Sequence, residues 1–356
     1  MKTKPLLILV LILGLIYPAY ASSRTLHLEK VFTLDLEKDL FAEKGLADID
    51  SFVVDSNGNI YCLYRESQEN CIFKFDRDGH FIGSFGRRGR GPGEVNMTLV
   101  LTINHRDEIL FQNFYESKIV VLSSEGDLIK EIAVPSGLTF LKQMENDCFF
   151  MIRSNFIDPT HVWRIWGLYT PELEKIKDLE TQKLEGNSYL YQFQFYKDYA
   201  ASDTIYIGKR TPSYEICVYN AEGELQKRIK KDYKPVKISD EYKEAQEKKW
   251  EDMQKRGVPP PPVKRTYPKN WSAFQDLFAS DDGWIFVMTY EKSEQPRHYV
   301  YDVFNPEGNF IGRTSLDNYK GIDSALPIKA RNNRLYSLRQ KENGYKELVV
   351  YKMKWE

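Results

Sequence analysis

Cysteine is scarce in this 356-residue chain, with Cys62, Cys71, Cys148 and Cys217 set against 23 tyrosines and 20 phenylalanines. No Cys-x-x-Cys pair occurs, and no cysteine lies beside histidine at a zinc-binding spacing, which excludes a structural zinc framework. Histidine is as sparse, and His27, His80, His105, His161 and His298 are scattered rather than paired. There is no Gly-x-Ser-x-Gly elbow, and no glycine-rich loop leads into a helix, so neither a serine hydrolase nor a nucleotide-binding motif is present. Neither sign of charge dominates: 50 basic residues face 51 acidic ones, for a formal net charge of −1. Nucleic-acid affinity rests mainly on neutralised phosphates, so this balance argues against a nucleic-acid partner.

Long apolar runs are also missing, with one exception. Leu6 to Ile16 is unbroken, Lys2 and Lys4 precede it, and Ala19-Tyr20-Ala21 follows with small-x-small spacing. This is the pattern of a secretory signal peptide cleaved after Ala21. The run is shorter than the roughly 20 residues needed to span a bilayer, so no membrane span is expected. Residues 22–356 then form an exported, soluble chain, periplasmic or extracellular.

A turn unit recurs along that chain: Phe75-Asp76-Arg77-Asp78-Gly79-His80-Phe81-Ile82, Leu122-Ser123-Ser124-Glu125-Gly126-Asp127-Leu128-Ile129, Tyr219-Asn220-Ala221-Glu222-Gly223-Glu224-Leu225 and Phe304-Asn305-Pro306-Glu307-Gly308-Asn309-Phe310-Ile311. A second unit, a turn followed by a strand, precedes it at Asp55–Tyr61, Asn104–Leu110, Ser202–Tyr206, Ser280–Phe286 and Arg331–Tyr336, with a degraded copy at Glu145–Phe150. Asp, Asn and Gly recur because such turns need left-handed backbone and local side-chain hydrogen bonds. A period of about 40–50 residues filled with strands marks a β-propeller blade.

The expected fold is therefore all-β, a six-bladed β-propeller. The blades fall at about 48–86, 96–134, 136–180, 191–231, 272–317 and 321–356. The last lacks a fourth strand, and Glu29 to Leu36 is unpaired near the start, so the N-terminal strand is expected to close the ring and remove its open edges. The segment 232–271, between blades four and five, breaks the period. There Ser239 is placed to cap a helix from Asp240 to about Arg256, with Gly257 to stop it and Pro259 to Pro262 continuing as a stiff extended stretch. It reads as a surface decoration or as a lid. Cys62 and Cys71 flank a short turn and could face each other across a hairpin, which leaves a disulfide open; Cys148 and Cys217 read as buried thiols.

The stretch Phe85-Gly86-Arg87-Arg88-Gly89-Arg90-Gly91-Pro92-Gly93-Glu94-Val95, with the two turn units, resembles the bacterial exported six-bladed propellers related to NHL-repeat proteins. The resemblance spans essentially all of the mature chain and implies no single reaction. Such propellers commonly serve as binding platforms, and some relatives are lyases or metal-dependent hydrolases.

The loop Arg87–Glu94 and the insertion should rise from one face on opposite sides of the ring, which makes that face the candidate site. Aligning the second strand of each blade puts Arg65, Phe114, Arg153, Arg210, Tyr290 and Gln340 at one level, and Tyr64, Asn113, Ile152, Lys209, Thr289 and Arg339 just below. Guanidinium groups offer a planar fork of donors, so Arg65, Arg153, Arg210 and Arg339, with Tyr290 and Asn113, form a candidate ligand site for carboxylate or phosphate. The competing expectation is that these arginines pair with local carboxylates such as Glu66 and Glu215. The Arg87–Glu94 glycines could nest an anion or simply make a tight turn, with Glu94 tying it down. No catalytic residue can be assigned. No cofactor is expected, with calcium the one metal considered, since propeller lactonases hold it through carboxylates and asparagines around the channel and Asn113 is the one strand-end amide available. The expected role is non-catalytic binding of a peptide, glycan or protein; the alternative is a lactonase-like hydrolase or lyase acting on an anionic substrate.

Overall fold

The computed structural model describes residues 25–356, apart from 39–40, 42, 68, 159–160, 186–195, 212, 258–266, 296 and 322–323. The expected signal peptide and Pro259–Pro262 lie outside the described residues. The described residues begin with β1 (Leu26–Asp35) and then lay down four-stranded antiparallel sheets in sequence order. The first complete blade comprises β2 (Ser51–Val54), β3 (Ile60–Leu63), β4 (Asn70–Phe75) and β5 (Phe81–Arg87). The second is β6 (Thr98–Ile103), β7 (Ile109–Asn113), β8 (Lys118–Leu122) and β9 (Leu128–Ala133). The third is β10 (Leu138–Gln143), β11 (Phe149–Asp158), β12 (His161–Tyr169) and β13 (Lys175–Glu185). The fourth is β14 (Lys197–Ala201), β15 (Thr204–Lys209), β16 (Glu215–Tyr219) and β17 (Leu225–Lys230).

Helix α1 (Asp240–Lys255) follows, capped by Ser239, whose side chain accepts from the Tyr242 amide. Next come β18 (Asp276–Ala279), β19 (Ile285–Lys292), β20 (His298–Phe304) and β21 (Phe310–Asp317), then a two-stranded ribbon of β22 (Tyr319–Gly321) and β23 (Ser324–Ala325). Counted from β2, the helix separates the fourth and fifth blades; counted from the sheet that β1 shares, it separates the fifth and sixth. The last blade is β24 (Ile328–Arg331), β25 (Arg334–Gln340) and β26 (Lys346–Trp355), with β1 as its outermost strand.

Six sheets form a ring because both faces of each are apolar. Successive strand residues point to opposite faces, yet Ile60, Tyr61, Cys62 and Leu63 are all buried. Ile60 and Cys62 join Phe73, Phe75, Tyr336 and Val350 in the core between the last blade and the first. Tyr61 and Leu63 join Cys71, Ile109 and Phe111 in the core between the first and second. The same alternation fills the four remaining joints.

This alternation settles the cysteine question left open by the sequence. Cys62 pairs in register with Phe73, and the two thiols belong to cores on opposite faces of one sheet. All four cysteines are free.

Ring closure is as expected. β1 runs antiparallel to β26 from Leu26 opposite Trp355 to Asp35 opposite Glu347. Gly79 shows why the turn unit needs glycine. Its φ is +90°, and a Cβ there would sit 2.7 Å from the Phe32 ring of β1.

Candidate functional site

Antiparallel pairing divides the connections between two faces. The links between blades, and those between each blade's second and third strands, share the face proposed from the sequence. The Arg87–Glu94 loop and α1 both arise there, three blades apart. The arginines on that face have different surroundings. Arg65, just past β3, donates to the Asp50 carboxylate at 2.8 Å through both its backbone N and its Nη2. Arg339 is held by Glu347 at 2.8 Å and Asp317 at 3.1 Å. Arg210 is 4% exposed and donates to the Phe274 and Gln275 carbonyls and to the Tyr290 hydroxyl.

Asn113 is fully buried, accepting from the Asn96 amide and donating to the Glu94 carbonyl, so it braces the loop before β6. Arg153 differs from the rest. It lies within β11, because that hairpin continues to Asp158, and its Nε is buried with no hydrogen-bond partner among the described residues.

Two of these residues anchor the insertion. Tyr290 stacks on Trp271 at 4.6 Å, and Trp271 meets Tyr242 of α1 edge-on at 4.7 Å. Arg210 and Ser272 both reach the Tyr290 hydroxyl. The arginine-rich loop is also internally occupied. The Glu94 carboxylate accepts from the Gly91 amide at 2.8 Å, Glu131 accepts from the Gly93 amide at 2.9 Å, and a Cβ on Gly89 would collide with Glu94. Those amide donors are spent on the protein's own carboxylates.

A cavity of about 270 Å³ fills the central channel, lined by the first strands of the blades and opening toward the opposite face. Its walls mix apolar residues such as Val53, Val54, Ile103 and Ala200 with polar ones such as Asn104, Gln143 and Ser202, and three cations enter it: Lys142 from β10, and Lys329 and Arg331 from β24. Lys142 Nζ donates to the Ile103 carbonyl at 3.2 Å, and Arg331 donates to the Val54 carbonyl at 2.6 Å. Lys329 makes neither hydrogen bond nor ion pair among the described residues.

Burial, with the charges of Arg331 and Lys329 beside it, lowers Lys142 to about 8. Burial and Arg331 lower Lys329 to about 8 as well. Both side chains keep part of their surface open to the channel. The carboxylates on the wall are engaged or remote. Asp198 accepts from the Trp166 indole at 3.1 Å, with its pKa pushed up by burial, and Glu145 is exposed at the rim.

The channel mouth is ringed by the turns joining each blade's first and second strands, and each turn is tied to the next. Ser56 donates to Asp107, Arg106 to Asp147, and the Glu145 amide to Asp203. Ser202 donates to the Asp281 carbonyl, and Asn332 donates both to the Asp281 carboxylate and back to the first blade at the Asp55 and Ser56 carbonyls. These aspartates therefore hold neighbouring turns. Among the described residues no group of three or more His, Cys, Asp or Glu comes together as a metal site. With three cations in the cavity, the donors present do not fit calcium. Lys142 and Lys329 emerge when the first strands of the blades are aligned instead of the second, as lysines inside strands whose alternate residues are apolar.

The sequence matches the model of the DUF5128 family, described as a 6-bladed beta-propeller, over residues 29–310. The chain belongs to this family. Among solved structures, a DUF4221-family member from Bacteroides vulgatus is 11% identical with a TM-score of 0.58, over 94% of this chain and 99% of that one. A candidate exported protein from Bacteroides fragilis is 9% identical with a TM-score of 0.52, over 93% and 96%. Virginiamycin B lyase from Staphylococcus aureus, at 11% identity, 91% and 88% coverage and a TM-score of 0.38, is too loose a match to carry an argument. No curated protein matches the sequence significantly. No described helix is long and apolar enough to cross a membrane.

Proposed function

We propose that this propeller is an exported binding module that takes a small anion, or the anionic tip of a peptide or glycan, in its central channel. One observation carries the reading: Lys142, Lys329 and Arg331 share one cavity in the central channel, and among the described residues none of them makes an ion pair with a carboxylate. A buried charge is costly unless paired, and an entering carboxylate would supply the missing partner. Charge-assisted hydrogen bonds to an anion are also stronger than neutral ones. Arg153, on the other face, supports a second and weaker site, since it alone of the expected arginine column keeps a buried Nε without a partner.

Thermal-shift titration with succinate and with inorganic phosphate tests the reading. Ligand at a hundred times its Kd stabilises the folded state by about 2.7 kcal/mol. The expected result is a shift in the wild type, its loss in Lys142→Met and Lys329→Met, its retention in Arg153→Ala, and a decline with added salt. Loss in Arg153→Ala alone would move the site to the opposite face, and no shift with either anion would count against the channel.

A further inference from the structure

We infer that Lys329 is a carbonyl-reactive amine that captures an aldehyde or ketone ligand in the channel as an imine. The inference rests on the channel being the ligand site and names the chemistry its ligand would carry. Ile328 and Ala330 are buried in the core against the fifth blade, so alternation turns Lys329 and Arg331 away from that core and into the cavity. Arg331 is tethered to Val54 and Lys142 to Ile103, whereas Lys329 has no hydrogen bond or ion pair among the described residues. Among the described residues it is the channel cation with no hydrogen bond of its own to give up to a ligand.

Its surroundings loosen its proton, so that the neutral amine becomes accessible near pH 8 while the ammonium prevails below it. An ammonium taken out of water beside another cation gives up its proton more readily, which is how a lysine becomes a nucleophile near neutral pH. At a pKa of about 8, its free-amine fraction at neutral pH is roughly a few hundredfold that of an ordinary lysine. Other titratable groups line the same cavity: Arg331 from its own strand, Lys142 and Glu145 from the third blade, and His105 from the second. Asp198 and Tyr199 come from the fourth, and Asp281 from the fifth. Arg331 is the neighbour whose charge acts on Lys329.

The chemistry balances without an added oxidant or reductant. The Nζ lone pair forms a bond to the carbonyl carbon, and the carbonyl oxygen takes up a proton. The nitrogen gives up its two protons, the first to that oxygen and the second to the departing hydroxyl, which leaves as water while the C=N bond forms. Lys142 and Arg331 would hold a carboxylate on the same molecule, so a small oxo acid is the ligand class that uses all three cations.

The test uses the full mature chain with glyoxylate as probe and cyanoborohydride to reduce any imine, read by intact mass and peptide mapping. The expected result is one dominant adduct, on Lys329, formed at least tenfold faster than on any surface lysine. Its rate should rise through about pH 8, and succinate should suppress it. Lys329→Arg, which keeps the charge, should abolish that adduct, and Arg331→Met should move the pH midpoint upward. Labelling spread evenly over the lysines, or a dominant adduct on Lys142, would overturn the assignment. Succinate binding without selective labelling would sink the imine and leave the anion site standing. Loss of both would remove the channel reading itself.

Discussion

Lys142 and Lys329 hold their protons less tightly than ordinary lysines because the folded channel both desolvates them and places cations beside them. A lysine whose folded pKa is about 8 and whose unfolded value is about 10.4 binds fewer protons when folded across that interval, so folding stability rises with pH there. Below about pH 8 the full penalty of burying the two charges is present. Replacing both by Met should therefore raise the melting temperature at pH 7, and the gain should shrink as pH climbs from about 8 toward the ordinary lysine range. A gain independent of pH would mean that the two ammonium groups are solvated in the channel. Little of this was legible in the residues. Lys329 sits in an apolar-alternating strand and reads as any half-exposed position, because sequence does not say that the facing wall is five other blades. The arginine column was legible as a level in the fold, but not its partners: Asp50 lies fifteen positions before Arg65, and Arg210 is covered by carbonyls brought in after the insertion.

At the scale of elements, the turns were readable because their backbone demands are local. Gly79, Gly126, Gly223 and Gly308 all adopt positive φ, as do Asp107, Asp147, Ser202 and Asn332 where glycine is absent. The insertion was readable as a helix with its cap, but its docking was not, since Trp271 ends the insertion and Tyr290 lies nineteen residues on in β19. That docking makes a prediction. Trp271 is nearly buried between Tyr242 and Tyr290, and truncating a buried aromatic costs about 3–5 kcal/mol. Trp271→Ala should release α1, seen as lost hydrogen-exchange protection across Asp240–Lys255, while β7 and β15 keep theirs. Uniform loss across the blades would instead make the insertion part of the propeller's own core.

For the whole molecule, stability depends on closure. β1 joins the two ends, and the tied turns around the channel mouth pass from blade to blade through every joint. Full burial of one side chain the size of Leu34 contributes about 1.5–3 kcal/mol, and β1 also covers the backbone edge of β26. A chain beginning at Leu36 should melt lower and associate through that edge in a concentration-dependent way. An unchanged, monomeric melt would show that closure rests on the turns alone. The closed ring also brings Lys142, Lys329 and Arg331 from two blades into one cavity, where none of them makes an ion pair among the described residues. The most direct measurement is a crystal structure of the mature protein grown with saturating succinate. The account predicts the dicarboxylate in the central channel, with oxygens within hydrogen-bond distance of Lys142, Lys329 and Arg331; an empty channel with succinate against Arg153, or nowhere, would contradict it.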